Sequence, residues 1–480
     1  MSEKDSSSKT VAPLPPLQAL QRWLQHWIGL DRAIFFTILA RFWQAFSGLV
    51  TLVLITRFLS PSQQGYYYTF FSIVALQIVF ELGFSFVILQ LAAHERAYLT
   101  FLPDGGIDGN SVAHSRLASV LQKAVYWYMG AGLLMAAALI PAGLWFFSSH
   151  PTPGVAVAWR LPWISLVLAA MLAFQIDPVF SFLEGCGFVA QVAQRRFTQA
   201  ILGSALAWSA MVWHQGLYAP ALLILGQVTV GLAYLLSSRH RKLLGNLLRY
   251  PVREHFVGWR KDIWPFQWRI AISWMCGYFI YQLFSPVLFA FQGAEAAGRM
   301  GMSLNVATGI GSIAIAWMNT KASPFGALVA RGEFKQLDNL FFRTLKQSTA
   351  LLIFGAGLFL FLLAAYGSFA PRFSKRLLPL WVVGILLVCT IINHIVYSEA
   401  LYLRAHKEEP FLGQSVISAI LIASVTLIMG KFYGANAIVL GLLIQGVLFG
   451  FPYATYIFVT KRRKWHGLPA NESRQIDESN

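Results

Sequence analysis

The sequence predicts an all-α polytopic membrane protein with about twelve transmembrane helices in two six-helix bundles. Three observations carry that prediction. Of 480 residues, 57% are hydrophobic and only 12% are charged, against about 25% charged in soluble chains. The apolar residues gather into runs of about 20, the length a helix needs to cross a bilayer. The Lys and Arg residues fall mainly in the short segments between those runs, and they favour alternate segments, which is the charge pattern that orients membrane proteins.

The elements follow in chain order. Residues 1–32 form a polar, Ser- and Pro-rich tail without the apolar core of a signal peptide, so a cytosolic amino terminus is expected. Within it, 16–28 places Leu17, Leu20, Leu24, Trp27 and Ile28 on one helical face and Arg22, Gln25 and His26 on the other. This segment reads either as an interfacial helix on the inner leaflet or as a surface helix packed on the bundle ends. Six spans follow in 33–237, over 33–56, 66–91, 121–147, 161–183, 197–214 and 217–237. A basic linker, 238–263, mixes seven Lys and Arg with Leu243, Leu244, Leu247 and Leu248. Six more spans occupy 264–459, over 264–290, 300–320, 347–366, 377–401, 411–430 and 434–459, before a tail at 460–480.

With both ends cytosolic, 28 of the 37 Lys and Arg lie inside. The outer loops keep Arg57, Arg160, Arg299, Arg372, Lys375, Arg376 and Lys431. This fourfold bias fixes the expected orientation. Spans 1 and 7 each carry an Arg toward the cytosolic end and a Ser-Pro toward the outer end (Ser60-Pro61, Ser285-Pro286), a sign of an internal repeat of the kind two-halved transporters use.

Several function classes are excluded. The net charge of +17 is spread over loops and not gathered on one domain, so nucleic acid is not an expected partner. Cys186, Cys276 and Cys389 sit in or beside apolar runs without zinc spacing and read as small core residues. No Walker A, HExxH or GxSxG string is present, so no built-in ATPase, catalytic residue, metal or cofactor is expected.

The informative residues are polar ones at membrane depth, where charge is costly. Arg41 lies about eight residues into the first span, roughly 12 Å deep at about 1.5 Å per residue. Arg41, Gln44, Gly48 and Thr51 form one polar stripe that should face a cavity or another helix. Gln77 and Glu81 lie one turn apart on the second span, and Glu81 is at a similar depth. Asp177, beside Pro178, Arg269, Asn393 and His394 also fall in the cytosolic half.

Two readings stay open. In one, Arg41 and Arg269, with Gln44 and Gln77, receive an anionic headgroup, since the guanidinium fork suits phosphate oxygens. Glu81 and Asp177 then pair with the arginines in the empty state or carry a coupling proton. In the other, Arg41 and Glu81 hold two helices together, Arg269 snorkels to the interface and Asp177 marks a kink. His394 and His214 read as satisfied core or interface histidines. Tyr66-Tyr67-Tyr68 reads as an interfacial belt, while Trp274, Tyr278 and Tyr281 fit either a belt or a sugar-stacking surface.

Two strings carry a family resemblance. RFLSPSQQGYYYTFFSIVALQIVFELGFSFVILQ (57–90) resembles the first helical hairpin of polysaccharide-biosynthesis flippases, with Gly65-Tyr66 opening the second helix and Glu81-Leu82-Gly83 near its inner half. AWMNTKASPFGALVARGEFKQLDNLFFR (316–343) is similar to that family's loop after the eighth helix. These flippases, O-antigen exporters among them, belong to the multidrug/oligosaccharidyl-lipid/polysaccharide (MOP) exporter superfamily.

The resemblance implies a V-shaped, MATE-like pair of bundles around a cationic cavity. It implies outward transfer, by alternating access, of an undecaprenyl-pyrophosphate-linked oligosaccharide across a bacterial inner membrane. Membrane lipids and other polysaccharide-assembly proteins would be the partners. Glu81 stands where many relatives carry Asp. Alternatives are a cation-coupled multidrug or small-solute antiporter of the same superfamily, whose cavity should be lined by carboxylates, and a membrane glycosyltransferase or polymerase, which the short outer loops (148–160 and 367–376) disfavour.

Overall fold

Apolar runs in a bilayer must satisfy every backbone N–H and C=O within the segment, which makes each of them a helix. A computed structural model of the chain describes residues 32–466, except 103, 153–155, 253–254, 368–370 and 407–409. The helix expected over 16–28 lies outside the described residues.

The first bundle contains α1 (Arg32–Phe58), the bent series α2 (Pro61–Val74), α3 (Gln77–Glu81) and α4 (Phe84–Arg96), then α5 (Ser111–Ser149), α6 (Arg160–Gly185), α7 (Val189–Val212) and α8 (Ala219–Leu235). In the linker lies α9 (Ser238–Arg249). The second bundle contains α10 (Trp264–Tyr281) and α11 (Phe284–Gln292), then α12 (Ala294–Asn319), α13 (Ala322–Ala330), α14 (Phe334–Tyr366), α15 (Leu380–Arg404), α16 (Leu412–Phe432), α17 (Ala435–Gln445) and α18 (Phe451–His466). A small antiparallel hairpin, β1 (Leu99–Phe101) and β2 (Ile107–Gly109), fills the connection before α5; nothing in the periodicity predicts it.

Among the described residues, nine helices are long and apolar enough to cross a membrane alone, and two bent pairs raise the number to eleven. The predicted span 197–214 falls on α7, which starts eight residues earlier, at Val189. Its first turns carry Gln191, Gln194, Arg195, Arg196 and Gln199, and these pull its hydropathy below that of its neighbours.

Both bends have local causes. Leu82 and Gly83 adopt left-handed φ values of 51° and 66°, which end α3 and turn the chain by 47° into α4. Glycine takes such a φ freely, whereas leucine does so at a cost. The second bend, 40° between α10 and α11, falls at Gln282-Leu283, ahead of Pro286. Ser60 caps α2 with a full capping box closed by Gln63.

Small residues decide where the bundles meet. Helix α2 packs closely on α12. A Cβ on Gly65 would run into the carbonyl of Ala294, and one on Gly298 would lie 2.9 Å from the amide nitrogen of Gly65. Tyr66, Tyr67 and Tyr68 are all buried, which corrects the expectation of an interfacial belt. Tyr66 is packed edge-on to Phe289 of α11 at 4.8 Å and tilted against Phe147 of α5 at 5.3 Å. This aromatic plug closes the end where α1 finishes and α12 begins.

Candidate functional site

Toward the other end, where α1 begins and α18 finishes, the bundles separate around a cavity of about 270 Å³. Its walls come from α10–α11, α12, α15, α16 and α17 of the second bundle, with Arg41 of α1 facing them from the first. Thr308, Ser312, Asn319, Thr390, Asn393, Tyr397 and Gln445 bring hydroxyl and amide groups. Among the described lining residues, Arg41 is the one permanent charge and no carboxylate is present.

Local structure explains why Arg41 faces the cavity. Helix α1 packs on α7, where Trp43 donates to Ser204 at 3.1 Å and Trp208 donates to Thr51 at 2.9 Å. These bonds fix the rotation of α1 and leave Arg41 and Gln44 exposed, with the Arg41 guanidinium donating to the Gln44 side-chain oxygen at 3.3 Å. A Cβ on Gly48 would meet nothing within 4 Å, so the stripe opens onto free space there. Its last member, Thr51, turns instead toward α7.

The other sequence-predicted residues divide. Arg269 is exposed beside Trp268, 5.4 Å from the ring centroid, and does not line the cavity. Gln77 is half-buried at the start of α3. Glu81 is not paired with Arg41; it accepts a hydrogen bond from Ser85, with Tyr128 and Asp177 as its electrostatic neighbours. The expected pairing fails because α1 packs on α7 and not on the α2–α4 series. Asp177 lies inside α6, two turns before its end at Gly185, and pairs with Arg195 at 3.0 Å.

Sequence reasoning missed Arg195, Glu399 and the Tyr397–Asn319 contact. Arg195 was expected in a loop, yet it is buried in α7, with its guanidinium carbon 3.2 Å from the ring centroid of Phe180. The signal was available: Arg195 lies four residues before Gln199 on an otherwise small-residue face. His394 is buried at the cavity wall and shares a 2.9 Å hydrogen bond with Ser348 through Nε2, while its Nδ1 is buried without a partner, so it is a core histidine that is satisfied at one nitrogen and not at both. Glu399, one turn beyond, is buried and accepts from Thr455 at 2.9 Å. Tyr397 donates to Asn319 at 2.8 Å across the cavity mouth. Of the aromatic group on α10, Tyr281 lines the cavity, Tyr278 is buried and Trp274 is exposed. Among the described residues, no group of three His, Cys, Asp or Glu is placed to hold a metal.

Two helical bundles around a cavity sealed at one end form a multi-pass α-helical membrane fold. Comparison with solved structures shows that the fold is similar to that of MOP-superfamily transporters. An inward-facing multidrug resistance MATE family transporter matches with a TM-score of 0.67 at 14% identity, over 93% of this chain and 99% of that one. The lipid II flippase MurJ, in an inward closed conformation, matches with a TM-score of 0.61 at 13% identity, over 88% and 87%. An outward-facing MATE family transporter gives 0.53 at 13% identity, over 89% and 95%. No protein-family profile and no curated protein sequence matches the chain.

Proposed function

We propose that this protein is a flippase that moves a lipid-linked, pyrophosphate-bearing oligosaccharide across a bacterial inner membrane by alternating access, with both termini cytosolic. One observation carries the reading: the cavity presents a single permanent charge, the Arg41 guanidinium, among hydroxyl and amide groups and without a carboxylate. A guanidinium suits the pyrophosphate, and Asn319, Asn393, Tyr397 and Gln445 suit sugar hydroxyls. The likeness to MurJ supports transfer of a lipid-linked headgroup. The cavity, about 270 Å³, holds the headgroup region, while the polyprenyl chain stays in the bilayer. Arg41 and Gln44 bind the substrate; Arg269 and Gln77 contact it on the way in. Glu81 and Asp177, close to Arg195, supply the coupling site.

A second reading is a cation-coupled multidrug antiporter of the same superfamily. It is favoured by the TM-score of 0.67 to a multidrug resistance transporter and by the carboxylates of the first bundle. The two readings part on substrate charge. Purified protein in liposomes holding a fluorescent undecaprenyl-pyrophosphate oligosaccharide, probed with a membrane-impermeant glycosidase, should exchange it between leaflets faster than empty liposomes do. Exchange at the empty-liposome rate, with and without an imposed ion gradient, would overturn the flippase reading; uptake of organic cations by the same vesicles would establish the other.

A further inference from the structure

We propose that α9 and the strap after it form a docking surface for anionic phospholipid headgroups, attached to the first bundle and separate from the transport cavity. The strap is built in two faces. Leu243, Leu244 and Leu247 of α9 are buried against α5 and α8, and their spacing puts them on one side of the helix. Arg241, Lys242 and Arg249 are exposed on the other. Farther along, Arg260 and Lys261 are exposed beside exposed Phe256 and Trp264.

Fixed bonds hold this strap to the first bundle. Gln122 of α5 donates to the carbonyls of Leu247 at 3.1 Å and Tyr250 at 2.9 Å, which caps the end of α9. Ser115 donates to the His255 carbonyl at 2.7 Å, and the Ser119 hydroxyl accepts from the Val257 amide at 3.0 Å. Arg116 lies 2.7 Å from buried Glu95 and 3.6 Å from Asp262. Asp262 also accepts from the Gly258 amide at 2.6 Å, so that carboxylate is engaged inward, and among the described residues no carboxylate pairs with Arg241, Lys242, Arg249, Arg260 or Lys261.

Position supplies the occupant. Helix α8 ends at Leu235 and α9 starts at Ser238, while α10 starts at Trp264. The strap therefore runs between the ends of two spanning helices, at the level of the headgroups. An amphipathic helix with cations outward and aromatic residues beside it at that level faces the bilayer surface. Each cation near an anionic surface contributes about 1 kcal/mol, roughly a fivefold gain in local lipid occupancy. The charge and the placement select anionic lipid over a protein partner.

The test uses the full-length protein in nanodiscs of phosphatidylcholine with a minor fraction of phosphatidylglycerol. Native mass spectrometry counts the phosphatidylglycerol retained. The variant Arg241→Gln/Lys242→Gln/Arg249→Gln should retain at least about 25-fold less, two or more of those fivefold steps. Neutralising Lys335, Arg343 and Lys346, three exposed cations of the second bundle, should change retention little. Equal retention in the strap variant, or an equal loss in the second-bundle control, would overturn the proposal. If the triple variant does not fold, Arg249→Gln alone, expected to lose about fivefold, decides it. Because the readout is lipid retention, it stands whether or not the flippase assay succeeds.

Discussion

The side-chain amide of Gln64 on α2 donates to the backbone oxygen of Gly298 on α12 at 2.8 Å, and it also reaches the Arg376 carbonyl at 3.2 Å. Arg376 returns the contact, donating to the Gln64 side-chain oxygen at 3.2 Å and to the Leu59 carbonyl at 2.5 Å. A residue of the second bundle thus caps the end of α1, and a buried amide of the first is satisfied by the backbone of the second.

These bonds hold the sealed end shut, which gives a first prediction. Gln64→Leu removes the side-chain donor to the Gly298 carbonyl and leaves the Arg376 guanidinium with the Leu59 carbonyl alone, at about 1–3 kcal/mol, or roughly 5- to 150-fold in the ratio of sealed to open molecules. Gly65→Val goes further, because its side chain would meet the Ala294 carbonyl. Spin labels at exposed Gln215 and Lys431 should report a longer distance in both variants than in the parent. Unchanged distances would show that the seal rests on the aromatic plug alone.

The pair Asp177–Arg195 gives a second prediction, in which order matters more than size. The Arg195 side chain is 4% exposed and that of Asp177 is 65% exposed. Asp177→Asn leaves a buried guanidinium without its carboxylate, and breaking such a pair from one side costs about 3–5 kcal/mol when both partners are buried, less here because Asp177 is solvated. Arg195→Met removes the buried charge itself and fills the space with apolar atoms. Asp177→Asn should therefore lower the thermal midpoint of the purified protein more than Arg195→Met does. The reverse order would show that the Arg195 contact with Phe180 dominates.

Much of this architecture is legible in the sequence because the bilayer reduces the problem to length and hydropathy: every predicted span overlaps a helix. What was not legible has specific causes. The bend at Leu82-Gly83 needs a left-handed leucine, which no propensity rule anticipates. The neighbour of α1 could not be read either, so Arg41 was expected near Glu81, whereas the Trp43–Ser204 and Trp208–Thr51 bonds set α1 on α7. Arg195 was misplaced because a polar helix start looks like a loop in a hydropathy profile. Arg41 itself was legible, since one charge in the middle of an apolar helix has to face something other than lipid.

A third prediction separates the two arginines that the sequence treated alike. Arg41 lines the cavity and Arg269 does not. Loss of one charge-assisted contact to a pyrophosphate costs about 1.5–3 kcal/mol, or roughly 10- to 150-fold in affinity. Arg41→Ala should weaken binding of an undecaprenyl-pyrophosphate analogue by that factor, Arg41→Lys by less because the charge remains without the fork, and Arg269→Ala by less than threefold on the same scale. Titration of detergent-purified protein with the analogue checks all three. Equal losses at both arginines would place the headgroup outside the cavity described here.

The bend between α3 and α4 yields the last prediction, and it separates two physical costs at one residue. Gly83 has φ +66°, and a Cβ there would run into the side chain of Ile270 on α10. Gly83→Ala therefore pays twice: about 1–2 kcal/mol for an L-residue in the left-handed region, and about 1–3 kcal/mol for overpacking. Only the second part depends on Ile270. Ile270→Ala in the same chain makes room for the methyl group, so the double variant should be less destabilised than the sum of the two singles. The shortfall measures the overpacking, and the remainder measures the backbone. Thermal unfolding of the four proteins gives both numbers. Strict additivity would mean that α10 moves away from Gly83 at no cost, and that the close approach of α10 to the bend is not what fixes the angle between α3 and α4.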